Sequence, residues 1–149
     1  MVGMKQKTSK VLFIEGESSE AVASLRQGFN KLFGQVLKGK MPKIIMGDDV
    51  NGTIRKFRLN KREGTSFLLI DLDVPKDQMS TRLEELDLSK HKKNVFWMVQ
   101  EMEAWFLSQP DIIDRLYGKN TAKKLPTKSP QLFSKPSLQL MNLTKKTKR

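Results

Sequence analysis

Four short runs of mainly apolar residues, separated by segments with helical spacing, constrain the fold of this chain more than any other feature. The runs cover residues 10–14, 43–46, 66–70 and 95–99. The run at 66–70 is almost entirely apolar, as expected of a strand that is covered on both faces. Strands that alternate with helices predict an α/β fold of the Rossmann-like kind, with a mostly parallel four-stranded sheet flanked by helices.

Apolar side chains recur every three or four positions between the first two runs, at residues 21–37. This spacing predicts a helix that buries one face. Shorter helices are predicted near residues 54–63, 78–86, 102–107 and 111–117. We expect Arg82, on the predicted helix at 78–86, to be exposed to solvent.

The basic residues are unevenly distributed. The sequence has 28 Lys and Arg against 16 Asp and Glu, a formal net charge of +12. Nine of the bases and none of the acids lie in residues 119–149. We therefore predict an α/β domain at residues 1–118 and a basic, Pro/Lys-rich C-terminal arm at 119–149, some of whose apolar residues dock on the body or on a partner. A charge of this sign predicts a polyanionic partner, most often nucleic acid.

The residue types that are missing exclude several kinds of chemistry. The sequence has no cysteine, which excludes disulfides, thiolate metal sites and cysteine nucleophiles and agrees with a cytoplasmic location. The one histidine, His91, lies among lysines, so we expect a solvated loop there rather than histidine-based metal or triad chemistry. No apolar run approaches the roughly 20 residues that span a bilayer, so we expect neither a membrane segment nor a secretory signal.

Acidic side chains follow three of the four predicted strands, at the point where each strand ends. They are Glu15 and Glu20 after the first strand, Asp71 and Asp73 after the third, and Glu101 and Glu103 after the fourth. Because the carboxyl ends of parallel strands meet at one edge of a sheet, we expect these carboxylates to lie near one another. Asp71 and Asp73 alternate along a segment that we expect to be extended, so we expect them to project to the same side. The same holds for Glu101 and Glu103 only if that segment is extended rather than helical.

Carboxylates gathered at one edge repel each other unless a cation lies between them. Mg²⁺ (or Mn²⁺) prefers oxygen ligands, so the acidic clusters predict a metal site. A bound metal supplies a nucleophilic water near neutral pH and neutralises charge on a phosphate, which is what phosphodiester hydrolysis requires. The competing interpretation is that such acids cap helices or solvate loops, above all Glu17, Glu20, Asp48 and Asp49. The candidate phosphate contacts are Lys43, Arg55, Lys56, Arg58, Lys76, Lys145 and Lys146.

Three motifs resemble the Toprim domain, which occurs in topoisomerases, primases and the overcoming-lysogenization-defect family of nucleases. They are IEGESSE at residues 14–20, DLD at 71–73 and MVQEMEAWFL at 98–107. The third motif is similar to a family of small bacterial Toprim-like proteins known only as a domain of unknown function. The resemblance covers residues 10–117.

The resemblance implies a metal-dependent endonuclease or nickase. It assigns metal binding to Glu15, Glu20, Asp71 and Asp73. It assigns catalysis to Glu15, Asp71, Asp73 and the additional acid Glu101 or Glu103. Because members of the similar family are often paired with ATPases of the ABC/SMC type in phage-defence-like gene pairs, the resemblance also implies an ATPase partner and a nucleic-acid substrate, with DNA favoured over RNA.

Other functions are open at this point. A non-catalytic nucleic-acid-binding or complex-forming subunit with a degenerate Toprim fold would use the basic arm for sequence-independent affinity. The motif at 71–74 also resembles the first motif of haloacid-dehalogenase-type phosphatases, but that motif normally begins the fold. A phosphate-receiver domain would need a late lysine on a fifth strand, and none is evident.

Overall fold

A computed structural model describes residues 9–19, 23–60, 65–126, 128 and 135–144. It contains four strands, β1 (Val11–Ile14), β2 (Lys43–Met46), β3 (Ser66–Asp71) and β4 (Val95–Met98). They form one sheet in the order β2-β1-β3-β4. In the parallel pairs around β1, Ile14 lies opposite Met46 of β2 and Leu69 of β3. The four predicted strands and the predicted parallel α/β fold are therefore confirmed.

Helices connect and flank the strands. They are α1 (Ala23–Leu37), α2 (Val50–Leu59), α3 (Met79–Glu85), α4 (Glu103–Leu107), α5 (Pro110–Tyr117) and α6 (Pro136–Thr144). Three short 3₁₀ helices lie at Lys76–Gln78, Ser89–Asn94 and Ala122–Lys124. Local sequence explains two of the helix starts: the carboxylate of Asp49 accepts a hydrogen bond from Gly52 N as the N-cap of α2, and Pro110 occupies the first turn of α5.

The described residues group into two compact units. The first is assigned to Met1–Ile70 with His91–Phe96, and the second to Asp71–Lys90 with Trp97–Arg149. No helix among the described residues is long and apolar enough to cross a membrane.

The first unit is built on the strands β1, β2 and most of β3. Its buried apolar side chains include Phe13, Ile44, Phe57 and Leu68, and the rings of Phe13 and Phe57 meet edge to face at 6.3 Å. The helix α1 contributes less to this core than its spacing predicted. Phe29 is buried, but the exposed fraction of Val36 is 78%.

The second unit has a separate apolar cluster outside the sheet. Leu107 of α4 and Ile113 of α5 are fully or almost fully buried at its centre. The partly buried residues packed against them are Phe106, Tyr117, Ala122, Leu125, Leu140 and Leu143. Leu140 and Leu143 belong to α6, so this part of the predicted basic arm docks on the body of the protein, as its apolar residues indicated.

Candidate active site

The segment that follows β3 continues along the segment that follows β4. Leu72 N donates to Met98 O at 3.0 Å, and Asp73 N donates to Gln100 O at 2.7 Å. Leu72 is completely buried. The two aspartates therefore flank a buried leucine that anchors the end of the strand, and the hydrogen bonds fix the backbone on either side of it.

Asp73 departs from the extended conformation expected from the sequence. The strand ends at Asp71, and Asp73 has φ of +59°. Aspartate is one of the few residues that adopt this left-handed region readily, because its short side chain bonds locally. The prediction that residues 71–73 are extended throughout is wrong at Asp73, so strand alternation does not place its carboxylate beside that of Asp71.

Asp71 connects β3 to the start of α4. Its Oδ1 accepts a hydrogen bond from Met102 N at 2.9 Å, just before α4 begins at Glu103. The first N–H groups of a helix have no partner within the helix, so an acidic side chain is well placed there. The carboxylate that the sequence assigns to metal binding therefore also positions the chain after β4.

Glu101 is almost fully buried, with 9% of its surface exposed. Its Oε2 accepts a hydrogen bond from Ser137 N at 2.7 Å, in the first turn of α6. Glu103 lies in the first turn of α4 and is half-buried. The two glutamates therefore have different surroundings, and Glu101 has a structural role at the helix that the arm contributes.

The pKa of the Asp73 carboxyl is affected by burial and by nearby positive and negative side chains. Burial raises its pKa above the usual range, and the negative charge of Glu101 raises it further. The positive charges of Arg82 and Lys135 lower the same pKa, and Arg82 Nη2 lies 3.8 Å from Asp73 Oδ2. The net shift is upward. Partial burial is therefore its main cause, in a side chain that is still 38% exposed, and the largest effect of a nearby charge is the opposing one of Arg82.

Sequence reasoning missed Arg82 and Lys135. We expected Arg82 to be exposed, but the exposed fraction of its side chain is only 19%. Its position on a polar stretch of α3 gave no signal for burial. Lys135 is one of many basic residues in the arm, and its segment is brought beside the acids by tertiary contacts, among them the hydrogen bond between Glu101 and Ser137.

Glu15 lies in the first unit, immediately after β1. It is half-buried, and its N–H donates to Leu69 O at 3.0 Å, which continues the pairing of β1 with β3. Gly16 follows with φ of +152°, and a Cβ there would lie 2.7 Å from Met46 Cε. Only glycine fits this turn without displacing its neighbours, so the backbone that carries Glu15 is locally well determined.

Asp48 closes the loop that carries the first acidic motif. Gly16 and Asp48 exchange two backbone hydrogen bonds of 2.8 Å, and Asp48 Oδ1 accepts from Ser18 N at 2.8 Å and from Ser18 Oγ at 2.6 Å. The Ser18 side-chain hydrogen bond is the largest of the causes that lower the pKa of Asp48, and the Lys56 charge adds to them. Asp48 and Asp49 thus have the loop and capping roles of the competing interpretation.

The predicted phosphate contacts lie in different environments. Lys56 is half-buried, donates to Met46 O at 3.1 Å and lies 3.6 Å from Asp48, so it has a structural partner on each side. The exposed members of the set are Lys43, Arg55, Arg58 and Lys76. Glu20, Lys145 and Lys146 lie outside the described residues.

Among the residues that the structure describes, no three His, Cys, Asp or Glu side chains form a group that could enclose a metal ion. Mg²⁺ does not require such an enclosing group of protein side chains. This ion is usually held by one or two carboxylates and keeps several waters, which substrate phosphates replace. Carboxylate oxygens, as in Asp71 and Asp73, are donors that such an ion prefers.

Comparison with known proteins identifies no relative of this chain. No protein-family model matches the sequence, and neither a curated protein nor a solved structure matches it at a significant level. The Toprim resemblance therefore rests on the three motifs and on agreement with the parallel α/β fold.

Proposed function

We propose that this protein is a nuclease of the Toprim type that hydrolyses phosphodiester bonds in nucleic acid, DNA in preference to RNA, with the help of Mg²⁺ or Mn²⁺. The observation that carries the proposal is the pair of carboxylates, Asp71 and Asp73, at the end of a parallel strand whose backbone is hydrogen-bonded to the segment after β4, in a protein of net charge +12. Carboxylate oxygens favour binding of a divalent cation, and the basic remainder of the protein favours binding of a polyanion.

In this proposal Asp71 and Asp73 hold the metal. When bound, the metal would supply a nucleophilic hydroxide and neutralise charge on the phosphate. Asp71 Oδ1 also accepts a hydrogen bond from Met102 N at the start of α4, and this bond holds the carboxylate in place. Glu15 is proposed as the acid of the first motif because of the resemblance.

Control by an ATPase partner of the ABC/SMC type, in a phage-defence complex, is a further proposal that rests on the resemblance alone. It predicts that cleavage is stronger when the partner encoded beside this protein is present.

The direct test is cleavage of supercoiled plasmid DNA and of a labelled RNA by the purified protein. We expect nicking or linearisation of the DNA with Mg²⁺ or Mn²⁺ and none with EDTA, because the metal is proposed to supply the nucleophile and to neutralise charge on the phosphate. Where an ATPase of the ABC/SMC type is encoded beside this protein, the assay is run with and without it. Cleavage that survives EDTA would contradict the proposal.

A second candidate function is a non-catalytic nucleic-acid-binding subunit. The observation that favours it is that three acids of the site already have protein partners: Met102 N for Asp71, Arg82 for Asp73 and Ser137 N for Glu101. Binding of DNA under all metal conditions, without cleavage in any of them, would favour this function over the nuclease.

A further inference from the structure

Arg82 forms an ion pair with Asp73 of the candidate active site. It projects from α3, and its Nη2 lies 3.8 Å from Asp73 Oδ2. Its Nη1 lies 3.4 Å from Glu85 Oε2, on a glutamate whose side chain is 57% exposed. The guanidinium is therefore held between one acid of the site and one acid of the surface, with about four-fifths of the arginine side chain withdrawn from solvent.

The hydrogen-bonding capacity of this guanidinium is only partly used. A separation of 3.8 Å is an ion pair but is too long for a hydrogen bond, and the contact with Glu85 is near the upper limit. Arg82 Nε is buried and has no hydrogen-bond partner among the described residues. Buried donors are nearly always paired, and each exception calls for an explanation. Because Nε is closed to solvent, a ligand from solution would accept hydrogen bonds from the two Nη groups, whose contacts with Asp73 and Glu85 are long.

The geometry of a guanidinium selects the kind of ligand. Its two Nη groups lie in one plane and can together donate to two oxygens of a phosphate or carboxylate. The strand end already supplies carboxylate, in Asp73, and Arg82 does not form the short paired hydrogen bonds with it that a bidentate contact requires. Two oxygens of a phosphate would accept hydrogen bonds from the Nη groups, which contact Asp73 and Glu85 only at long distance.

We propose that Arg82 is a phosphate-binding residue, which holds a phosphodiester group of nucleic acid beside Asp73. The choice of a phosphodiester as ligand rests on the proposed function, but the binding of phosphate by Arg82 does not require cleavage. Arg82 is not among the phosphate contacts predicted from the sequence, because nothing in the sequence indicates that it lies beside Asp73.

Two readouts test the inference. The first is the ¹⁵Nε–¹H resonance of Arg82, assigned by its loss in Arg82→Lys, during titration with inorganic phosphate and with a short DNA duplex in EDTA. We expect this resonance to shift with both ligands. The second is the Kd for the duplex, which we expect to rise about 10-fold in Arg82→Lys because lysine keeps the charge but loses the fork.

The matched control is Arg115→Lys, on the exposed surface of α5, which makes the same chemical change away from the acids. We expect its Kd to stay within about twofold of that of the unmodified protein. Thermal unfolding establishes that both variants are folded, and Arg82→Gln serves as a second variant should Arg82→Lys be unstable.

The outcomes separate this inference from the proposed function. A shifted Nε resonance and weaker binding in Arg82→Lys support the phosphate site even if the protein cleaves nothing. An unshifted Nε resonance while the duplex binds, or an unchanged Kd in Arg82→Lys, would overturn the phosphate site even if the protein proves to be a nuclease.

Discussion

Replacing Asp73 with Asn is expected to abolish metal-dependent cleavage without destabilising the protein at pH 7. Asp73 is proposed to contact the metal directly. Loss of a residue that only supports a metal ligand lowers activity by up to about 100-fold, and loss of a ligand should lower it at least as much. We therefore expect the rate of cleavage to fall by a factor on the order of 100 or more. Initial rates of plasmid nicking in Mg²⁺ measure the loss. Asp111→Asn, on the exposed first turn of α5, is the matched control and should cleave normally.

The stability of Asp73→Asn follows from the raised pKa of the native carboxyl. Because the folded protein binds this proton more tightly than the unfolded chain, stability from the group is fully present below its unfolded pKa. It decreases as the pH rises through the folded pKa. We therefore expect Asp73→Asn to have a Tm equal to or above that of the unmodified protein at pH 7, measured in EDTA. The difference should vanish below about pH 4, where the aspartate is protonated.

A second substitution at the same position separates charge from backbone. Asp73 has φ of +59°, which asparagine tolerates and alanine does not. Asp73→Ala should therefore be less stable than Asp73→Asn by about 1 kcal/mol. A Tm for Asp73→Asn clearly below that of the unmodified protein at pH 7, but not at pH 4, would show that the charge is stabilising and would contradict this account.

Replacing Glu101 with Ala is expected to release α6 from the body of the protein. The buried carboxylate accepts from Ser137 N, and its removal leaves that N–H without an acceptor. We expect the free energy of unfolding to fall by about 1–3 kcal/mol. Hydrogen exchange should accelerate in particular in the α6 amides that follow Pro136, because the packing of Leu140 and Leu143 depends on the position of the helix.

Glu101→Gln and Glu84→Ala complete this experiment. Glutamine keeps an oxygen that can accept from Ser137 N, so it should retain most of the protection of α6. Glu84 is an exposed acid on α3, and its loss should leave exchange in α6 unchanged. Exchange in α6 that is as slow in Glu101→Ala as in the unmodified protein would show that Glu101 does not hold the arm. A folded but inactive Glu101→Gln would give Glu101 the catalytic role that the sequence motif implies.

Much of the fold could be predicted from the sequence because the strands are short, apolar and regularly separated by helical patterns. Each predicted strand lies within a residue or so of the observed one, at Val11–Ile14, Lys43–Met46, Ser66–Asp71 and Val95–Met98. The burial of α1 was predicted less well. Helical spacing shows which side chains share a face, but it does not show how much of that face the body covers, and Val36 is 78% exposed.

The candidate site was predicted in its residue types but not in its connections. Acids at strand ends are visible in the sequence, whereas the hydrogen bonds of Asp71 with Met102 and of Glu101 with Ser137 depend on tertiary structure. The left-handed φ of Asp73 depends on where the pairing with the next strand ends, which alternation alone does not show. The burial of Arg82 likewise comes from packing rather than from periodicity.

Titration of the protein with Mn²⁺, followed by electron paramagnetic resonance of the free ion, shows whether Asp71 and Asp73 hold a metal. We predict that the unmodified protein binds Mn²⁺ saturably, that Asp71→Asn and Asp73→Asn each weaken binding at least about 10-fold, and that Asp111→Asn does not. Absence of saturable binding in the unmodified protein, or equal binding in the Asp71→Asn/Asp73→Asn double variant, would contradict the claim that these aspartates hold a catalytic metal.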